Sequence, residues 1–184
     1  MILVGHKGHQ EVKGTMGQVE MSLIDDRDSY RSPDWNYQTP VTVLTQTTLS
    51  VDDTQRSIDN IKNSFNDVLV RNDLCYATTN RQNAVKEIAP LVDVFLIIGA
   101  ENSSNCNRLR EVAIGKGVPS YLINGLHELN QSWLEGVRNI GITSGASTPD
   151  NLVQEIIDFI GAEEVIPMGG EEENITFTLP KEFR

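Results

Sequence analysis

The residues best able to do chemistry gather just behind short apolar runs. His6, His9 and Glu11 lie together in GHKGHQE, directly after ILVG at 2 to 5. A histidine two positions before a carboxylate can bind a metal, carry protons or cap a helix, and spacing alone leaves all three open. Cys75, in DLCYATTNRQ, is one of two cysteines, the other being Cys106. Neither sits in a CxxC pair. The chain therefore has no disulfide framework and cannot complete a structural zinc site or a four-iron cluster with its own thiols.

A second pattern repeats along the chain. TQTTLS follows VTVL, ENSSN follows DVFLIIG, SGAS follows NIGIT, and ATTN follows the short LCY. Small hydroxyl and amide residues at such places act as N-caps and turn formers. Beyond the carboxyl ends of parallel strands they also add donors to the anion sites that helix N-termini create. Four recurrences in one chain favour a phosphate-bearing ligand. There is no GxxxxGK[ST] loop and no GxGxxG fingerprint, so nothing specifies a nucleotide.

These residues need a scaffold, and the hydrophobic pattern predicts one. Apolar runs at 2 to 5, 41 to 46, 93 to 99, 119 to 123 and 139 to 143 read as buried strands. Amphipathic stretches from about Asp52 to Phe65, Thr79 to Leu91, Ser104 to Gly115, His127 to Gly136 and Thr148 to Ile160 read as helices. SVDDT and STPDN look like helix starts, each a hydroxyl followed by acids that suit the positive end of the helix dipole. Strand and helix in alternation predict an α/β fold with parallel sheets. With 184 residues the chain divides best into two small domains. The boundary is expected near Arg71 to Leu74, giving domains 1–72 and 73–160. The polar stretch from Met21 to Thr39 reads as a loop. Residues 161–184 form a tail, acidic and Gly-rich at first, then one last strand in ENITFTLP.

Charge and hydropathy exclude several partners. The balance of 15 basic against 26 acidic residues gives a net charge of -11, with no basic run, so nucleic acid is not an expected partner. No apolar stretch is long enough for a membrane span, and the opening is too short for a signal-peptide core. The reading is a soluble, cytoplasmic protein.

Taken together, GHKGHQEVKGTMGQ, TQTTLSVDDT, CYATTNRQ, ENSSNCNRL and GITSGASTPDNLV, in this order and spacing, closely resemble the 4-hydroxy-3-methylbut-2-enyl diphosphate reductase family, also called LytB. The likeness runs from about residue 2 to the end. It implies a trefoil-like enzyme of three α/β domains around a 4Fe-4S cluster held by three cysteines, with the fourth iron open to substrate. The implied reaction is reductive dehydration of an allylic diphosphate to isopentenyl and dimethylallyl diphosphate, the last step of the non-mevalonate isoprenoid pathway. A ferredoxin or flavodoxin type protein is the implied electron donor. The resemblance makes Cys75 a cluster ligand and assigns the diphosphate to His9, Ser103, Ser104, Asn105 and Ser147. Glu11 takes the place of the proton donor and Thr47 lies near the substrate hydroxyl, with Thr78 behind them.

Several departures from the family pattern stand out, the most serious at the start. Gln10 replaces the usual Pro between His9 and Glu11, which loosens that turn. Cys106 stands where Ser is usual and reads as a packing residue; His6 reads as structural. The family's other two cluster cysteines, two further diphosphate-binding histidines and its first domain would lie upstream of Met1. The resemblance therefore casts the chain as the C-terminal two thirds of the enzyme, inactive in isolation. The alternatives are a fragment that binds anions or diphosphate without redox chemistry, and a truncation product that folds poorly because loss of the preceding helix exposes an apolar sheet face.

Overall fold

A computed structural model describes residues 1–71, 73–168 and 182. The expected ENITFTLP strand lies outside the described residues. The first sheet has four parallel strands in the order β2-β1-β3-β4. They are β1 (Ile2–Val4), β2 (Ser22–Ile24), β3 (Val41–Thr45) and β4 (Val68–Val70). Helix α1 (Gln10–Met16) crosses from β1 to β2, and α2 (Val51–Ser64) from β3 to β4. Apolar β1 is buried along its whole length, as a strand covered on both faces must be. Ile58, Ile61 and Phe65 from the α2 side close over Ile2, Val4, Val41 and Val43 to form one core.

The second sheet is parallel in the order β6-β5-β7. Its strands are β5 (Val94–Ile98), β6 (Ser120–Ile123) and β7 (Ile140–Ser144). It is preceded by α3 (Tyr76–Ile88), and α4 (Ser104–Gly115) and α5 (Asp150–Ile160) complete the unit. Every residue of β5 is buried, because alternate side chains feed two cores. Phe95 and Ile97 pack with Val85, Leu109 and Ala113 on the α3 and α4 side, while Leu96 and Ile98 meet Ile123 and Ile156 on the α5 side. The Phe95 ring lies so near β7 that a Cβ on Gly141 would stand 2.8 Å from it.

The five expected strands are present, each within a residue or so of its predicted limits. Two more, β2 and β4, escaped the hydrophobic pattern, so the stretch from Met21 to Thr39 is loop only after Ile24. Helix α1 also went unpredicted. Residues 127 to 136 are not the expected helix but two short 3-10 turns, Leu126–Glu128 and Gln131–Leu134. Asn130 breaks the segment by accepting the Ser132 N–H through its side chain, and Trp133 stacks on Tyr121 with ring centroids 3.9 Å apart. The SVDDT start is as expected, Ser50 accepting from the Asp53 N–H. At STPDN the cap position is Pro149, with no side-chain bond, and the Thr148 hydroxyl donates to the Ile98 carbonyl instead.

One buried amide seals the junction between the two units. Gln82 on α3 is fully buried; its Nε2 donates to the Leu49 carbonyl at 2.8 Å and its Oε1 accepts from the Val51 N–H at 3.1 Å. Gln82→Leu strands both backbone groups. At roughly 1–3 kcal/mol for each group left unsatisfied, we expect a loss on the order of 2–4 kcal/mol. Urea unfolding monitored by circular dichroism measures it, and a loss below about 1 kcal/mol would show that water or a rearranged loop satisfies those groups.

Candidate active site

In a parallel sheet the polar crevice opens where neighbouring strands send their crossovers in opposite directions. The order β2-β1-β3-β4 puts that point between β1 and β3, and the order β6-β5-β7 puts the second between β5 and β7. The segments leaving these four strands are 5–9, 46–50, 99–103 and 145–149. They hold His6, His9, Thr47, Ser103 and Ser147, with Glu11, Ser104 and Asn105 just beyond in the first turns of α1 and α4.

Thr47 is the junction of the site. Its N–H donates to Glu11 Oε1 at 2.8 Å and its hydroxyl to Oε2 at 3.1 Å, so both carboxyl oxygens are held by one residue. Its carbonyl accepts from the Cys75 N–H at 3.0 Å. Cys75 occupies the N-cap position of α3 but makes no side-chain cap bond, leaving its thiol exposed, and Thr78 is buried one turn further on. Gln46 and Thr48 complete the loop. Buried Gln46 accepts from the His6 N–H and donates to the Thr48 hydroxyl, which in turn donates to Ser104 Oγ at 2.9 Å, crossing from one unit to the other.

Ser103 is the N-cap of α4 and accepts from the Cys106 N–H. Asn105 is 8 % exposed, yet neither its Oδ1 nor its Nδ2 has a hydrogen-bond partner in the described chain. His9 Nδ1 is likewise buried without one. Buried polar groups are nearly always satisfied, and exceptions point to a ligand, an ion or water. Ser147 is exposed on the loop after β7 and makes no side-chain hydrogen bond among the described residues. Gln10 opens α1 as its first residue, a position whose N–H is unpaired in any helix, so Gln serves there as well as Pro. Cys106 is a packing residue, as expected. It is 2 % exposed, in a niche where a Cβ on either Gly99 or Gly145 would stand 2.5 Å from its Sγ.

His6 stands in a polar cluster. Its Nε2 lies 2.8 Å from Asp26 Oδ1 and 3.1 Å from Arg108 Nη2. Among the described residues, His6, Asp25 and Asp26 are close enough to share an ion. Two facts oppose that use. Asp25 is engaged by the Arg27 guanidinium, the Arg27 N–H and the Lys7 N–H, and the Arg108 guanidinium already brings positive charge to His6. Sequence reasoning missed Gln46, Thr48, Asp26 and Arg108 as single residues. Gln46, Thr48 and Arg108 stood inside the TQTTLS and ENSSNCNRL segments, but nothing local showed their partners.

A parallel α/β protein whose polar site is assembled from both of its sheets is the class that this geometry defines. Comparison with known proteins makes it particular. The family model described as LytB protein matches residues 1–161, and the chain belongs to that family. A 4-hydroxy-3-methylbut-2-enyl diphosphate reductase from Pseudomonas aeruginosa is 46% identical over 194 residues, covering 100% of this chain and 62% of that protein. The same enzyme from Ruthia magnifica is 44% identical over 191 residues, again with 100% and 62% covered. The chain thus spans about three fifths of the curated relatives it matches. Among solved structures, the E-1-hydroxy-2-methyl-but-2-enyl-4-diphosphate reductase of Plasmodium falciparum superposes with a TM-score of 0.89 at 31% identity, over 99% of this chain and 60% of that one. No helix among the described residues is long and apolar enough to cross a membrane.

The Arg27 side chain holds the Asp25 carboxyl well below the usual carboxylate range; burial opposes this, and the Lys7 and Arg27 N–H groups add to it. A depressed folded-state value means that the stability Asp25 contributes is complete above the ordinary carboxyl pKa of about 3.9 and is lost as pH falls through the lower folded value. Carboxyl-detected NMR should therefore find Asp25 still ionised at about pH 3, where an unperturbed aspartate is mostly protonated. Titration of Asp25 with an ordinary midpoint would show that the Arg27 clamp does not hold in solution.

Proposed function

We propose that the chain provides the diphosphate cradle, the proton donor and one cluster ligand of a 4-hydroxy-3-methylbut-2-enyl diphosphate reductase. The substrate takes up two electrons and two protons, its allylic C–O bond breaks, and water leaves with isopentenyl or dimethylallyl diphosphate. The observation that carries this reading is the three-way bonding of Thr47, which ties the carboxyl group of Glu11 to the backbone of Cys75.

Cys75 suits a cluster ligand because its thiol is exposed and its side chain does not cap α3. Cys106 is buried in its glycine niche and does not suit one, so this chain offers one thiolate. When bound, a 4Fe-4S cluster supplies the electrons and an open iron for the substrate oxygen. The protein residues bind, orient and protonate. His9, Ser103, Ser104, Asn105 and Ser147 hold the diphosphate, Asn105 and His9 through buried atoms that lack protein partners. Glu11 delivers the proton by way of Thr47. In the ionised state Thr47 donates to Glu11; once Glu11 is protonated that bond reverses, and the Thr47 hydroxyl hydrogen is free to turn toward the leaving oxygen. A small one-electron carrier of the ferredoxin or flavodoxin type delivers the electrons.

By itself the chain should behave as an anion-binding unit. Asn105→Leu replaces an unpaired buried amide with an apolar group of similar size. We expect it to leave the unliganded chain equally stable or up to about 1 kcal/mol more stable, while weakening pyrophosphate binding at least about tenfold in calorimetry. Loss of stability with unchanged binding would make Asn105 a structural residue and overturn the cradle.

In the assembled enzyme, Glu11→Gln keeps the Thr47 contacts but cannot supply a proton. A fall in kcat of about 10²–10⁴ with KM nearly unchanged is expected. A change confined to KM would remove Glu11 from the chemistry.

A further inference from the structure

We infer that Arg108 is the positioning residue that joins the two halves of this site, an inference that rests on reading His9, Ser103, Ser104 and Asn105 as a diphosphate cradle. Arg108 follows Ser104 and Asn105 by four and three positions on α4, so it lies on their face of the helix, one turn deeper. It is 8 % exposed. Its guanidinium reaches three segments of the chain. Nη1 lies 2.7 Å from Glu111 Oε2 on α4 itself and 3.5 Å from Asp53 Oδ2 in the first turn of α2. Nη2 lies 3.1 Å from His6 Nε2 in the segment after β1.

His6 extends this network. Its Nε2 is also 2.8 Å from Asp26 Oδ1, and the Asp26 side chain is 1 % exposed. The ring nitrogen accepts from Arg108 when it carries no proton, while the Asp26 carboxylate lies beside it without a hydrogen-bond partner among the described residues. The buried carboxylate, imidazole and guanidinium stand in contact, and removing the cation leaves Asp26 short of compensating charge, whereas Asp53 keeps its ion pair with Arg56. Lysine could not replace it, because one ammonium lacks the planar fork that faces His6 and Asp53 together.

The consequence for the site is geometric. His9 lies three positions beyond His6, and α2 begins just after Thr47 and Thr48. By gripping His6 and Asp53, Arg108 sets α4, with Ser103, Ser104 and Asn105 at its tip, against both switch-point segments of the other sheet. Arg108 itself touches no cradle residue across the units; it acts through His6 and α2.

Amide hydrogen exchange on the full 184-residue chain tests this directly. In Arg108→Met, peptides covering 6–10 and 103–107 should both exchange about tenfold faster or more, with β5 unchanged. Unchanged exchange in those two peptides overturns the inference. Calorimetry with inorganic pyrophosphate supplies the second arm. Arg108→Met should weaken binding about tenfold, and combined with Asn105→Ala the loss should be smaller than the product of the two single losses, because both act on one geometry. A fully multiplicative loss overturns the positioning role. A wild-type chain that does not bind pyrophosphate sinks the cradle reading, and hydrogen exchange still decides Arg108. If Arg108→Met does not fold, Asp53→Asn takes its place. Faster exchange at 103–107, across the junction from the substitution, supports the inference, and unchanged exchange there overturns it.

Discussion

Thr47 spends every polar group it has on fixing distant parts of the chain. Its amide and hydroxyl hold Glu11, 36 positions earlier, and its carbonyl holds the Cys75 amide at the start of another helix. Only a residue with a hydroxyl on Cβ can do this. A threonine hydroxyl sits beside its own N–H, so one residue can grip both oxygens of a carboxyl group, and its small side chain leaves the crevice open. The rest of the site depends on where this residue stands, and that is set by the parallel sheet. Because β3 lies against β1, the segment after one must face the segment after the other.

The second sheet repeats the device. The loops after β5 and β7 meet at its switch point, and Thr48 to Ser104 is one of the hydrogen bonds through which the two polar ends touch. The junction between units is built almost wholly from polar and charged groups: Gln82 on a loop backbone, Lys86 on Asp52, Arg108 on His6 and Asp53. Among the described residues, the buried members of each apolar core come from one unit. Hydrophobic burial makes each sheet stable but does not say how one faces the other, whereas a hydrogen bond fails within a fraction of an ångström. Orientation is therefore assigned to the polar contacts.

Much of this could be read from the chain. Long apolar runs such as DVFLIIG declared themselves because a central strand is apolar on both faces, and the small polar residues behind them marked the crevice. What escaped had physical reasons. Strands β2 and β4 are three residues long and only partly buried, too short for a period to register. The helix expected at 127 to 136 had the right periodicity, but Asn130 competes for the backbone and breaks it. Helix α1 was hidden because Val12 is its one buried residue. Arg108 and His6 are 102 positions apart, and a pair so separated leaves no trace in local spacing. The family resemblance pointed to His9 and to Ser103, Ser104 and Asn105, but the contacts behind them needed coordinates.

The sulfur of Cys106 fills the niche where Gly99 and Gly145 approach. An atom confined in this way has no room to gain oxygen and no path to a reagent, so for solution chemistry the folded chain carries a single thiol. A thiol-directed alkylating probe or spin label reads out Cys75 alone. That thiol's own backbone is bonded to Thr47, so a label placed there reports from the centre of the site while leaving the carboxyl clamp of Glu11 untouched.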